Sequence, residues 1–455
     1  MTQKTMVNDL TQGNIYRQLL AFAAPVVAAN LLQLVYSMVD TVVVGQFCGS
    51  AGLSAVSISS QVVTIMTVFC IGFATGGQIH IAQLVGARRA DGLRAAIGTL
   101  FTLTLLLAVL MTAAGIVLCA PVLRWLNTPE EAWTQAREYL LISSGGMVFV
   151  YGYNVVSAIL RGMGDANRPL VFIGIAAVLN LVLDLVFVGP LGMGAAGAAW
   201  ATIIGQAVSF LISIIYLWLR RTQFGFDFRL ESFRMDRQLL GIYLRYGLPL
   251  AIKLVAINGS MTVVAGMVNA YGVVASAAFG VGTKVQTITM NTMLSVAAAL
   301  TTVAGQNAAA RCFSRARRAT WTGIAFAWVM YAVITVIFIL WPVPVFRIFT
   351  QDAQVLAYAP LFLHTLIVSF PAMGTLEPVN GLVQGVGAMR YYLILALVDA
   401  FVFRIGLTWL FGSVLGMGLL GIFLGFALAP YSTMIPNVIF LCSHRWERRF
   451  PPEAA

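Results

Sequence analysis

Charged side chains are scarce in this chain of 455 residues. Only 9% of the residues are Asp, Glu, Lys or Arg, whereas 60% are hydrophobic, and the mean hydropathy is +0.90. Because soluble domains carry about 25% charged residues, a soluble globular fold is excluded. The five cysteines are scattered and the three histidines are isolated, which argues against a disulfide framework or a zinc site.

Acidic residues are scarcer than basic ones, 16 against 27, so the net charge is +11. A basic chain suggests nucleic acid as a partner, but here the basic residues lie in short loops between apolar runs, as membrane topology requires. We therefore expect no nucleic-acid partner. The first 13 residues are polar and lack a cleavage pattern, so no signal peptide is expected.

Apolar segments long enough to cross a bilayer, about 20 residues each, recur along the chain. They predict an all-α polytopic membrane protein with twelve transmembrane helices. The predicted segments are 14–44, 53–85, 92–120, 131–161, 168–189, 195–220, 239–270, 274–310, 315–341, 353–387, 390–412 and 419–443.

The basic residues also predict the orientation of the chain. With the amino terminus inside, the inner loops and termini carry 21 Lys and Arg, and the outer loops carry only Arg124, Arg137 and Arg347. This bias predicts that both termini are cytoplasmic. The absence of a signal peptide and the short loops favour the inner membrane of a prokaryote.

The two halves of the sequence repeat at an offset of 223–224 residues. Pro25 pairs with Pro249, and "LRGMG" at 160–164 pairs with "VQGVG" at 383–387. Six spans per half predict two six-helix lobes related by a pseudo-two-fold axis along the membrane normal, with substrate near the repeat interface. The predicted division is an N-lobe at 1–220, a cytoplasmic linker at 221–238, a C-lobe at 239–443 and a cytoplasmic tail at 444–455.

"GMGAAG" and "GMGLLG" both fit the GxGxxG pattern of dinucleotide sites. Neither follows a soluble βα unit, and no acid lies about 20 residues further on, so that interpretation is rejected. The small residues instead predict close helix packing. The two stripes are Gly197, Ala201 and Gly205, and Gly421, Gly425 and Ala429.

Two acids in the first half fall at membrane depth, Asp40 and Asp184. At 1.5 Å per residue, both lie about 8–11 Å below outer helix ends, level with Thr202, and Asn180 is one turn from Asp184. Paired desolvated carboxylates exchange a proton near neutral pH, and the same oxygens suit Na⁺. Static interhelical hydrogen bonding is the structural alternative.

The second half places Glu377, Asp399 and Lys253 at a similar depth, with Lys284 and Arg404 also inside spans. Two interpretations fit this pattern equally well. The charges neutralise one another and hold the lobe together, or they take part in cation coupling.

Pro25 lies inside the first span, two turns before Gln33, which shares a stripe with Tyr36 and Asp40. A proline inside a helix removes a backbone hydrogen bond and permits a kink. The sequence does not distinguish a hinge that moves this stripe from a fixed kink.

The chain resembles the multidrug and toxic compound extrusion (MATE) family over nearly its whole length. The resemblance rests on "SMVDTVVVG" (37–45), "ILRGMGD" (159–165), "LNLVLDLVFV" (179–188), "GAAGAAWATIIGQ" (194–206) and "GQN" (305–307). It implies an antiporter that exchanges Na⁺ or H⁺ for cationic amphipathic drugs by alternating access, between V-shaped lobes.

The carboxylates resemble those of the DinF-like branch of the family. The resemblance implies cation or proton coupling at Asp40, Asn180, Asp184 and Thr202, and a helix bend at Pro25. It implies a substrate cavity lined by Gln33, Tyr36, Tyr139 and Asn154. Another branch uses an acid in the seventh helix, where this sequence has Lys253.

The resemblance further implies a monomer in the lipid bilayer with no cofactor beyond the coupling ion, and no metal apart from Na⁺. The main alternative is a flippase for lipid-linked or polysaccharide precursors, for which Lys253, Lys284 and Arg404 supply some basic charge. An enzyme is not expected, because no loop is long enough to hold a domain and no nucleophile–base pair is present.

Overall fold

The computed structural model describes residues 8–451, except for the side chains of Thr41, Ser50, Ala90 and Asp91. The described chain is helical and has no strands. Ten helices are long and apolar enough to cross a membrane, and two bent pairs complete twelve spans. The spans are α1 Ile15–Gly49, α2 Ala51–Gly86, α3 Gly92–Val117, α4 Glu130–Gly145 with Met147–Gly162, α5 Asn167–Val188, α6 Gly194–Leu219, α7 Arg237–Asn269, α8 Val273–Ala309, α9 Phe313–Leu340, α10 Ala353–Ile367 with Phe370–Gly385, α11 Met389–Val414 and α12 Gly418–Cys442.

These bounds confirm the twelve predicted spans to within a few residues, but the sequence did not predict the two bends. The halves of α4 meet at 46° and those of α10 at 52°. The α4 bend follows the run "SSGG" at 143–146, and kinks favour such small residues. In α10, Pro371 stands in the first turn of the second half, where proline starts a helix but cannot continue one.

The chain forms two compact units. Unit 1 comprises 1–9 and 24–251, and unit 2 comprises 10–23 and 252–455, although 1–7 and 452–455 lie outside the described residues. The chain therefore passes from one unit to the other within α1, beside Pro25, and within α7, beside Pro249. The predicted lobe bounds divide the chain differently, at the connector between α6 and α7.

That connector, predicted as a linker at 221–238, is folded against α3 of unit 1. Arg94 on α3 binds Asp227 at 3.0 Å, and Ser232 donates a hydrogen bond to the same carboxylate. Gly98 permits this contact, because a Cβ at that position would lie 1.6 Å from the carbonyl oxygen of Ser232. Thr102 donates to the carbonyl oxygen of Phe233 at 2.6 Å. The connector is therefore a docked structural element.

The amino-terminal segment is held in unit 2 by the end of α8. Gln306 accepts a hydrogen bond from the Leu10 amide at 3.1 Å, and Asn307 donates to the Leu10 carbonyl oxygen at 3.1 Å. Arg315 on α9 donates to the carbonyl oxygen of Gly13 at 2.7 Å. The "GQN" motif thus fixes the chain just before α1 begins.

Both predicted stripes of small residues lie at close helix contacts. A Cβ at Gly205 on α6 would meet the Ala176 carbonyl oxygen of α5 at 3.1 Å, and one at Gly421 on α12 would meet the Phe411 carbonyl oxygen of α11 at 2.3 Å. The packing prediction is therefore confirmed, and the α5–α6 contact lies directly beside Asn180.

Candidate cation site and polar faces

Helix α5 carries two polar residues on its buried face. Asp184 is 0% exposed and Asn180 is 3% exposed, whereas Val178 on the opposite face is 65% exposed. Residues four apart stack on one side of a helix, so this apolar sequence buries both polar groups in unit 1 and leaves Val and Leu outside. The lipid-facing and interior faces follow the prediction.

Helix α6 completes one wall of this site. Asn180 donates a hydrogen bond to the Thr202 hydroxyl at 3.3 Å. The close approach of α6 to α5 is favoured by Gly205, since a Cβ there would meet the Ala176 carbonyl oxygen at 3.1 Å. Thr202 is therefore positioned as expected from the shared depth.

Helices α1 and α4 bring two more predicted residues to the same region. Asp40 is 8% exposed and lies close enough to Asp184 for their charges to interact. Tyr139 on α4 is buried and lies within electrostatic range of Asp40, Asp184 and Tyr36. Predicted residues thus lie together with Asp184 in one region of unit 1; they are Tyr36, Asp40, Tyr139, Asn180 and Thr202.

Several oxygens in this cluster accept no hydrogen bond. They are Asp40 Oδ1, Asn180 Oδ1, Gln206 Oε1 and both carboxylate oxygens of Asp184. All are acceptors, and buried acceptors normally have a donor partner. A group of orphaned acceptors around two carboxylates has the composition of a site for a proton or a hard cation.

Gln206 is the residue that sequence reasoning missed. It lies one turn from Thr202 on α6, inside the motif "GAAGAAWATIIGQ", and it is buried. The four-residue spacing is the signal that identifies it, because such residues share a helix face.

A narrow cleft lies between α1, α5 and α6 beside the cluster, and neither Asp40 nor Asp184 lines it. It is lined by Tyr36, Ala176, Asn180, Thr202, Gly205 and Gln206, and has no room for a water-sized sphere. A proton or a bare ion fits such a space, whereas a drug-sized molecule needs about 300–1,000 Å³. The cleft is therefore too small for an organic substrate.

The other two predicted cavity residues do not join the buried cluster. Asn154 on α4 is half-buried and donates to the carbonyl oxygen of Val150 in its own helix at 2.8 Å. Gln33 on α1 is exposed. Their proposed role as a cavity lining stays a prediction.

The polar residues of unit 2 pair in a way that the sequence did not specify. Lys253 on α7 donates to the Tyr392 hydroxyl, with its ammonium 4.4 Å from the ring centroid. Gln384 donates to the same hydroxyl at 3.0 Å. No carboxylate of the described residues lies within ion-pair distance of Lys253.

Arg404 and Asp399 form a 2.6 Å ion pair within α11. Glu377 is 5% exposed and acts electrostatically on Lys253 without touching it. Lys284 on α8 is exposed. Asp399 acts electrostatically on Lys253 as well, and whether these charges are structural or take part in coupling stays a prediction.

Sequence reasoning also missed two exposed polar stripes, one on α2 and one on α7. Ser57, Gln61 and Thr64 share one face of α2, and Asn258 and Thr262 share one face of α7; all five are exposed. Their three- and four-residue spacing marks a helix face, and polar groups at membrane depth face protein or water. Each unit therefore has one helix with an exposed polar stripe.

A repeated helical chain with twelve spans, a buried carboxylate pair and polar faces at membrane depth is a polytopic membrane transporter. The MatE family model matches residues 25–186 and again residues 249–410. The chain therefore belongs to the MATE family, and the two matches confirm the internal repeat, since the second begins 224 residues after the first.

Curated relatives and solved structures resemble the chain over nearly its full length. The Probable multidrug resistance protein YpnP of Bacillus subtilis is 30% identical over 96% of this chain and 97% of its own. The Probable multidrug resistance protein NorM of Thermotoga maritima is 27% identical over 96% and 94%. A MOP superfamily transporter from Pyrococcus furiosus shares the fold, with TM-score 0.92 and 24% identity over 99% of this chain and 100% of that one.

Proposed function

We propose that this protein is a cation-coupled antiporter that exports cationic amphipathic drugs and toxic organic compounds by alternating access. The names of the B. subtilis and T. maritima relatives support multidrug efflux. The buried carboxylate pair of unit 1 supports coupling to H⁺ or Na⁺.

The observation that carries the coupling proposal is Asp184, whose two carboxylate oxygens are buried and accept no hydrogen bond. An ionised carboxylate in that state is strongly disfavoured. The site is stable when it takes up a proton or binds Na⁺, for which Asp40, Asn180, Thr202 and Gln206 supply further oxygens. Either ion satisfies these groups, and no other metal or cofactor is required.

Coupling then follows from the position of Asp40 on α1. The chain passes from unit 2 to unit 1 between Ala23 and Ala24, directly before Pro25, where a backbone hydrogen bond is missing. Bending of α1 at Pro25 moves Asp40 relative to Asp184 on α5. Loading the Asp40–Asp184 pair with a cation and binding a cationic substrate thereby become competing events.

We place the protein in the cytoplasmic membrane with both termini inside, on the strength of the 21-to-3 excess of basic residues in inner loops. The protein works as a monomer in the bilayer. A flippase needs an accessible basic groove, but Lys253 and Arg404 are engaged with Tyr392 and Asp399 and only Lys284 of the three basic residues is exposed, so we favour drug export.

The test is ethidium efflux from proteoliposomes driven by an imposed pH gradient or an imposed Na⁺ gradient, each alone. We expect one gradient to drive efflux in the wild type, and Asp40→Asn and Asp184→Asn to abolish the driven component. Glu377→Gln, which alters a buried carboxyl of unit 2, is the matched control and retains it. Unchanged driven efflux in both aspartate variants would refute the coupling role.

A further inference from the structure

Lys284 stands at membrane depth with its side chain exposed. Helix α8 begins at Val273, so Lys284 lies roughly 16 Å along it, well inside a hydrocarbon layer about 30 Å thick. The described residues offer it no ion pair and no hydrogen bond. A lysine in this state must face water, because contact with lipid at this depth is strongly unfavourable.

Its neighbours on α8 support a water-facing surface. Ala277, Gly280 and Thr287 are exposed on the same stripe, and Asn291 continues it half-buried. Elsewhere in the chain, exposed helix faces carry large apolar residues. Between Ala277 and Thr287 this stripe carries none. Asn258 and Thr262 on α7 add exposed polar groups in the same unit.

Lys284 is also the only exposed residue among the seven charged residues that the sequence places at membrane depth. The four acids and Lys253 are each at most 8% exposed, and Arg404 is bound to Asp399. A molecule that reaches this polar surface therefore meets one formal charge, and that charge is positive.

We infer that the α7–α8 face of unit 2 is an anion-recognition surface, in which Lys284 binds a carboxylate or phosphate group of the substrate. The inference rests on the proposed function and narrows its substrate class to amphipathic organic cations that also carry an acid group. A lysine ammonium is a compact charge with three donors, and its hydrogen bonds to an anion are among the strong ones in proteins.

The test is equilibrium binding of two dyes to the purified full chain in detergent, followed by fluorescence anisotropy. Rhodamine B and its ethyl ester share the cationic ring system and differ in one carboxylate. We expect the wild type to bind rhodamine B about tenfold more tightly than the ester, from one charge-assisted hydrogen bond. Lys284→Gln removes this preference by weakening rhodamine B alone, and Lys284→Arg retains it.

Thr322→Val on α9 is the control and leaves the preference unchanged, because this half-buried hydroxyl donates to the Arg318 carbonyl oxygen of its own helix at 2.8 Å. Equal affinity of the wild type for both dyes, failure to bind either, or an equal loss of both in Lys284→Gln would overturn the inference. Because the measurement needs no gradient, it is independent of the aspartate efflux test, and one can fail while the other succeeds.

Discussion

Asp399 and Arg404 are five residues apart on one helix, and their side chains form an ion pair at 2.6 Å. In an α-helix, neighbours on one face are three or four residues apart. The five-residue contact arises because Val398–Arg404 is a π-helical segment, in which the backbone bonds from i to i+5. The local helix type therefore creates the pair.

Removing one member of this pair is expected to destabilise unit 2. Arg404→Met leaves the Asp399 carboxylate buried without its partner, which costs about 3–5 kcal/mol. The thermal unfolding midpoint in detergent measures the loss. The double variant Asp399→Leu with Arg404→Met is expected to recover most of it, and a double variant as unstable as the single one would contradict this account.

Gly98 is expected to be intolerant of a side chain. A methyl group there would lie 1.6 Å from the Ser232 carbonyl oxygen, so Gly98→Ala must displace the connector from α3 and costs roughly 1–3 kcal/mol. Limited proteolysis within 221–238 and thermal unfolding report the change. Gly174→Ala on α5 is the control, because nothing lies within 4 Å of its Cβ position; equal effects of the two variants would argue against a docked connector.

The sequence determines the span bounds and the residues near Asp184 by simple counting. Spans are set by runs of apolar residues, which are local properties, so their ends were predictable. Asn180 and Thr202 were found because helix spacing and depth follow from counting residues. Gln206 lies four residues from Thr202, so the same counting could have identified it.

Other pairings depend on tertiary packing and local helix geometry, which counting does not supply. Lys253 binds Tyr392, although the sequence places Glu377 at the same depth. The π-helical turn at Asp399 has no recognisable signal in an apolar run. The docking of 221–238 on α3 likewise depends on a single glycine whose role is visible only in three dimensions.

The connector should make stability depend on pH through Asp227. The hydrogen bond from Ser232, with the nearby Arg94 charge, lowers the pKa of the Asp227 carboxyl below its usual 3.8. A group with a lowered pKa stabilises the folded state above its unfolded pKa, and the effect is lost as pH falls through the folded value. Asp227→Asn is therefore expected to lower the unfolding midpoint at pH 7.

The same variant should approach the wild type as the pH falls below about 4. Unfolding midpoints of both proteins between pH 7 and pH 3 check this convergence. Glu231→Gln, in the short 3₁₀ turn Leu230–Phe233 that follows Asp227, is the control for removing an acid from the connector. A midpoint difference that stays constant across the range would show that Asp227 acts by packing and not by charge.

Arg315 is expected to control the order of the segment before α1. Its guanidinium donates to the carbonyl oxygens of Gln12 at 2.9 Å and Gly13 at 2.7 Å, and to the Gln18 side chain at 2.6 Å. Arg315→Gln removes most of these charge-assisted bonds, so amide hydrogen exchange over 10–18 should rise by about tenfold or more. Mass spectrometry of the exchanged protein measures this rise.

Arg318→Gln, at an exposed arginine on the same helix, is the matched control and should leave the exchange of this segment unchanged. Gln306 and Asn307 still hold Leu10 in the Arg315→Gln variant, so the increase is expected to be larger over 12–18 than at Leu10. Unaltered exchange over 12–18 would mean that these two α8 residues alone fix the entry of the chain into α1, and that the arginine contacts add nothing to its stability.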